Sequence, residues 1–190
     1  CVARCVGKTV STVSSVAVRH RTRYSLRRSL HSYSRVWLHL VWATLERRPL
    51  LTKDAAIKLS GFLNTYAREK GIYLKLNYVN SDPVHALVDL PTRLSIEETM
   101  QLFKGASSHW INESRLLPGK FAWGRGYGVF SVSHSAVAAV GGYISGQEEH
   151  HRRRSFSEEL QRLVERYGLE WRKDETVETV SSVSAVQAPR

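Results

Sequence analysis

Cysteine occurs only twice in the 190 residues, and both copies, Cys1 and Cys5, lie in the first five positions. A disulfide-stapled secreted domain spreads several cysteines through its body, so that class is excluded and a reducing, intracellular setting is expected. No apolar run is long enough to read as a transmembrane helix, so no membrane partner is expected. Acid is missing from the N-terminal end. Residues 1–35 hold eight Lys and Arg, whereas the first carboxylate is Glu46. The remaining residues carry 20 basic and 17 acidic side chains, so most of the net charge of +11 belongs to the first fifth of the chain. Such an excess points to a polyanionic partner. Length and a hydrophobic share of 42% suit one domain with tails and exclude a large multidomain machine.

Three stretches follow from composition. Residues 1–32, rich in Val, Ser and Arg without apolar periodicity, read as a basic, disordered arm; an organelle transit peptide, translated upstream sequence and a nucleic-acid arm all fit that composition. Residues 33–173 hold the patterned domain, and 174–190 read as a disordered tail.

Within the domain, Tyr33–Thr44 has the aromatic and β-branched content of a buried strand. A helix is expected over 53–70, with Ala56, Leu59, Leu63 and Tyr66 at helical spacing and Gly71 just past its end. Ile72–Val79 alternates apolar and polar residues, and Val84–Leu90 follows the turn residues Asn80 to Pro83, which predicts a pair of antiparallel strands. Ser95 and Glu98 form a capping box for a helix to about Asn112, and Leu116–Gly126 is a loop. Tyr127–Val132 is a further strand, Ser133 caps a helix reaching roughly His150, and Ser155 with Glu158 caps a last helix closed by Gly168. The order β-α-β-β-α-β-α-α predicts an α+β, ferredoxin-like split βαβ architecture: an antiparallel sheet with helices on one face and appended C-terminal helices. Architecture alone names no function.

Several motifs carry chemistry only weakly by themselves. Arg125–Val132 follows the first half of an RNA-recognition strand, but Val129 and Val132 stand where that pattern needs aromatics. His150 and His151 precede three arginines and suit a solvated basic run better than zinc. Tyr143 and Gln147, four residues apart, share a helix face. His85 lies in a strand where a second imidazole two residues earlier would share its side, but that position is Pro83. Read alone, His85 suits a packed core histidine and Pro83 a strand-start proline.

Taken in order, the blocks Val36–Thr44 with Arg47-Arg48-Pro49-Leu50-Leu51, Asp82-x-Val84-His85, Leu102–Ser108, Phe121–Ser133 and Tyr143–His151 tell more. Together they resemble the single-domain, one-tyrosine HUH transposases of the insertion-sequence-200-like kind, including relatives associated with repetitive extragenic palindromes. The resemblance runs from about Tyr33 through Trp171. It implies that Tyr143 attacks a phosphodiester of single-stranded DNA, forming a 5′-phosphotyrosine and releasing a 3′-hydroxyl, in DNA transposition. It implies a Mg²⁺ or Mn²⁺ ion held by His85 and Gln147, with Pro83 standing where the family has a second histidine. A phenol with a pKa near 10 attacks poorly at neutral pH, so a cation on the phosphate fits this chemistry. Arg47, Arg48, Lys104, Ser107 and Ser108 occupy blocks that face DNA in the family; as surface charges and small packing residues they fit equally well. The implied partners are hairpin-bearing single-stranded DNA and a second copy of the chain, in a bacterial cytoplasm at the nucleoid. Because Pro83 lacks a donor atom, a catalytically impaired hairpin-DNA binder is the alternative expectation.

Overall fold

The computed structural model describes residues 33–147 and 156–171. The expected arm over 1–32, the tail from 174, Ser155 of the second capping box and the His150–Arg154 basic run lie outside the described residues. Four strands, β1 (Trp37–Ala43), β2 (Tyr73–Val79), β3 (Pro83–Asp89) and β4 (Gly128–Val132), form one sheet in the order β2-β3-β1-β4 with every neighbour antiparallel. Two split βαβ units interleave. Helix α1 (Lys53–Glu69) joins β1 to β2, and α2 (Ile96–Glu113) joins β3 to β4. Helices α3 (Val137–Ser145) and α4 (Phe156–Arg166) follow the sheet. This is the α+β, ferredoxin-like arrangement expected from the element order.

Each helix forms for local reasons. In α1 a stripe of Ala55, Leu59, Leu63 and Ala67 recurs every fourth residue and is buried. Thr52 Oγ1 accepts from the Ala55 N–H at its start. At its end Gly71 takes φ +63°, and the Ile72 N–H reaches back to the Ala67 carbonyl, which closes the last turn. In α2 the capping box is complete: Ser95 Oγ accepts from the Glu98 N–H at 3.0 Å, and Glu98 Oε2 accepts from the Ser95 N–H at 2.7 Å.

Alternation along the strands sorts the residues between two layers. Leu38, Leu40 and Trp42 of β1, with Val84, Ala86 and Val88 of β3, join the buried stripes of α1 and α2 in the main core. Trp42 stacks on Phe103 and meets Trp123 edge-on. Fully burying a leucine such as Leu59 contributes about 1.5–3 kcal/mol. The opposite face holds Trp37, His39, Val41, His85 and Leu87, covered by α3 and α4 through Ile144, Val137 and Phe156.

Strand β2 departs from the strict alternation expected over 72–79. Leu74 pairs with Val88, but Leu76 pairs with Leu87, so Lys75 is an extra residue in a β-bulge. The bulge reverses the facing of everything after it. Ile72 and Leu74 join the main core, while Leu76 and Tyr78 turn to the α3 side and Asn77 donates to the Ser60 carbonyl of α1. The helix expected from Ser133 to about His150 is shorter among the described residues: a 3-10 turn over His134–Ala136 leads into α3, which stops at Ser145.

Gly141 and Gly142 sit inside α3. Nothing lies within 4 Å of the place a Cβ would take at Gly142, whereas one at Gly141 would stand 3.3 Å from Leu76 Cδ2. Gly142→Ala should therefore raise stability by about 0.5–1 kcal/mol, and Gly141→Ala by less. Urea unfolding midpoints of the two variants measure this; a loss at Gly142 would contradict it.

Candidate active site

The sheet face under α3 and α4 carries two histidines in a layer that is otherwise apolar. Val41 lies opposite His85 and His39 opposite Leu87, so the imidazoles are diagonal neighbours on one face. His39 Nε2 and His85 Nδ1 share a hydrogen bond of 3.1 Å, and their rings stack at 5.4 Å. His39 is 3% exposed and His85 0%. Burial pushes the His39 imidazole down to about 4, so it is neutral at physiological pH.

Tyr143 approaches from α3 and Gln147 from just beyond the turn at Gly146. The Tyr143 and His39 rings meet in a T-shaped contact with centroids 6.2 Å apart. Gln147 is fully buried. Both side chains converge on a residue of α4: Tyr143 Oη donates a short hydrogen bond to Glu159 Oε1, and Gln147 Nε2 donates to the same oxygen at 2.6 Å. His85 Nε2 stands 3.8 Å from that oxygen. The structure thus brings His85, Tyr143 and Gln147 together around one carboxylate.

Helix α4 is held over the site by its sheet-facing side. Phe156 packs on Val41 and Phe130, with Leu160, Leu163 and Val164 continuing the contact. Arg47 locks the beginning of the helix, donating to Ser157 Oγ at 2.8 Å with its guanidinium over the Phe156 and Trp171 rings. A cavity of about 610 Å³ opens beside Tyr143 between β4, α3 and α4. Its walls include His39, Ser133, Tyr143, Glu159 and the arginines Arg162 and Arg166.

Pro83 is buried at the start of β3 opposite Ala43, on the same face as His85, and offers no donor. Among the described residues, no three His, Cys, Asp or Glu side chains are grouped to hold a metal ion. The donors that do converge are one imidazole, one carboxylate and one amide. Gln147 Oε1 is buried with no hydrogen-bond partner among the described residues, and an unsatisfied buried carbonyl of this kind suits a cation.

The residues expected at DNA are dispersed. Arg48 is exposed and pairs with Glu46, whereas Arg47 is committed to α4. Lys104 Nζ donates to the carbonyls of Arg125 and Gly126 at 3.0 and 3.2 Å beside the Tyr127 ring. Ser107 is fully buried, its hydroxyl donating to the Phe103 carbonyl and accepting from Trp123 Nε1, so it has no surface to present to a phosphate. Ser108 donates to the Phe121 carbonyl. Helix α2, which carries the last three, packs on the sheet face opposite Tyr143.

Two site residues escaped the motif reading. His39 was visible as the polar residue inside the run Trp37–Trp42, at the alternate spacing that puts it beside Val41. Glu159 gave no signal, because in sequence it is one of two acids near a helix start.

A model of the IS200-like transposase family matches residues 32–147. The chain belongs to that family. Among solved structures, it is similar to a candidate transposase from Deinococcus radiodurans R1, with 27% identity, a TM-score of 0.52, and coverage of 64% of this chain and 98% of that one. No curated protein matches the chain significantly. The family's transposases cut and rejoin DNA, and among the described residues no helix is long and apolar enough to cross a membrane.

Asp82, at the turn into β3, is pushed up to about 6, first by burial, with its own backbone hydrogen bond and Arg47 opposing and Glu159 adding to the rise. The lowered His39 value makes stability fall as pH drops from 6.5 towards 4, by about 3 kcal/mol at most. The raised Asp82 value works oppositely: its stabilisation is present below its ordinary value of 3.8 and lost as pH rises through about 6. Asp82→Asn should therefore steepen the loss of stability in acid, and His39→Gln should flatten it. Urea unfolding at pH 6.5 and 4.5 checks both, and parallel pH slopes for all three proteins would disprove the assignment.

Proposed function

We propose that the chain cuts and rejoins single-stranded DNA at a hairpin-bearing site through a covalent link to Tyr143. The observation that supports this reading is the convergence of Tyr143 Oη, His85 and Gln147 on one carboxylate at the wall of an open, arginine-flanked cavity. The cavity admits a strand, and Arg162 and Arg166 at its wall suit phosphates on either side of the scissile bond. The hydrogen bond to Glu159 fixes the direction of the Tyr143 hydroxyl. Attack by that oxygen forms the tyrosine–phosphorus bond and breaks the bond to the 3′-oxygen, which leaves as a hydroxyl. The energy of the phosphodiester is kept, so a second DNA end can reverse the step.

Mg²⁺ or Mn²⁺, when bound, would polarise the phosphate and stabilise the charge that develops on it. His85 and Gln147 are the residues of the family's ligand set that are present, and the buried Gln147 Oε1, without a hydrogen-bond partner among the described residues, fits such an ion. His39 holds the His85 ring by its other nitrogen. A second copy of the chain is the proposed protein partner. Pro83 favours a second reading, a hairpin-DNA binder that has lost catalysis, because the buried proline removes one donor.

Incubation of the protein with hairpin single-stranded DNA and Mn²⁺, followed by denaturing electrophoresis, should give a covalent adduct. Tyr143→Phe should abolish the adduct and leave hairpin binding nearly intact. Binding without any adduct would select the second reading, and an adduct that survives Tyr143→Phe would remove that residue from the role. Hairpin affinity should fall steeply with added salt, since cationic contacts to phosphate release counterions. A salt-insensitive affinity would contradict the phosphate contacts.

A further inference from the structure

The cavity beside Tyr143 has a chemistry of its own. Strand β4 and the turn into α3 give it Val132 and Ala136, α3 gives Ala139 and Val140, and the α4 side gives Leu163 and the ring of Tyr167. A mostly apolar, concave lining with a few polar groups is the make-up of a pocket for a flat organic group. We infer that this cavity takes an unpaired nucleobase next to the phosphate that Tyr143 attacks, with Tyr167 as the ring on which the base stacks. The inference rests on the reading under Proposed function for single-stranded DNA at this cavity, and on the lining itself for the base.

Tyr167 is built as a platform. It follows directly on α4, its ring meets that of Phe130 with centroids 4.9 Å apart, and its hydroxyl donates to the Ser131 carbonyl at 2.7 Å. Ring and hydroxyl are both fixed to β4, so little rotamer freedom is lost when a base docks. Phe130 is only 2% exposed and has no face to offer, whereas Tyr167 remains 42% exposed. Proteins hold single-stranded nucleic acid in this way, with bases on aromatic faces and cations along the backbone.

Charge and room are placed to match. Arg162 and Arg166, one turn apart on α4, line the cavity together with Leu163. Both are exposed, so their guanidiniums serve phosphates while the apolar lining serves a base. Ala136 and Ala139 each bring only a methyl group, and the space they leave is part of a volume of about 610 Å³, which suits a short piece of single strand and not a duplex. Tyr143 lines the same cavity, so a strand that presents a phosphate to its hydroxyl carries an adjoining base into this lining.

The test measures, by fluorescence anisotropy and without metal, the binding of two labelled probes to the full chain: an oligothymidylate and an abasic strand with the same number of phosphates. The native protein should hold the oligothymidylate about five- to a hundredfold more tightly, the range for one base stacked on an aromatic side chain. Tyr167→Ala should erase most of that ratio, and Tyr167→Phe should keep most of it. Ala139→Leu, which extends an exposed residue of α3 into the cavity, should also lower the ratio and leave the affinity of the abasic strand unchanged. Arg162→Gln should weaken both probes alike. Circular dichroism establishes that each variant is folded; Ala139→Leu exchanges one good helix former for another, so it decides the matter should Tyr167→Ala unfold. Equal affinity of the native protein for the two probes would overturn the inference, and so would binding of neither. So would a ratio that survives in either folded variant, since bases would then be held elsewhere. The adduct assay with hairpin DNA, run in parallel, separates the two readings. An adduct without any base preference faults the pocket alone, and a base preference lost in Tyr167→Ala, with no adduct from the native chain, faults the cutting alone.

Discussion

The pairing of β1 with β3, in the register that sets Val41 opposite His85, underlies everything on the functional face. Sheet residues alternate sides, so a slip of one position would carry an imidazole through the sheet into the layer with Leu40 and Trp42. In the observed register, the two rings bond to each other in an apolar environment. Their mutual bond also holds the His85 ring in place, with its second nitrogen directed at α4. The site is therefore a product of strand pairing first and of helix docking second.

Helix docking is where the local chain conformation is least comfortable. Glu46 and Arg47 both take positive φ, 56° and 54°, a conformation that non-glycine residues adopt at a cost. The conformation is held by the turn around it: Thr44 Oγ1 donates to the Arg48 carbonyl, and the Leu45 N–H reaches the Ala122 carbonyl. The side chain of Arg47 then reaches α4, more than a hundred residues away in sequence. A turn that looked like a surface basic pair is in fact the clasp between the end of β1 and α4.

Much of the fold was legible because its signals are local. The capping box at Ser95 and Glu98, the four-residue stripe of α1 and the glycine at 71 each act within a few residues, and each stands where the sequence placed it. That Tyr143 and Gln147 share a side of the chain was legible from their spacing, and the structure brings both side chains to Glu159. What was hidden depends on distant partners. Lys75 looks like any polar residue of an alternating strand until the register with β3 makes it a bulge. Ser107 looks like a small polar surface residue until Trp123 is packed against it. Glu159 gains its meaning only once α4 lies across the sheet, a placement governed by Phe156, Phe130 and Arg47 jointly.

The bulge in β2 also bears on how molecules of this chain meet one another. Among the described residues β2 is an edge of the sheet, with one side of its backbone left without a strand neighbour, and a flat edge of that kind is a template for adding further chains. Insertion of Lys75 breaks the repeat of donors and acceptors midway and twists the edge, so a second copy finds no regular ladder to extend. An irregularity that looks like a fault in the pairing thus makes this edge a poor template for a further strand.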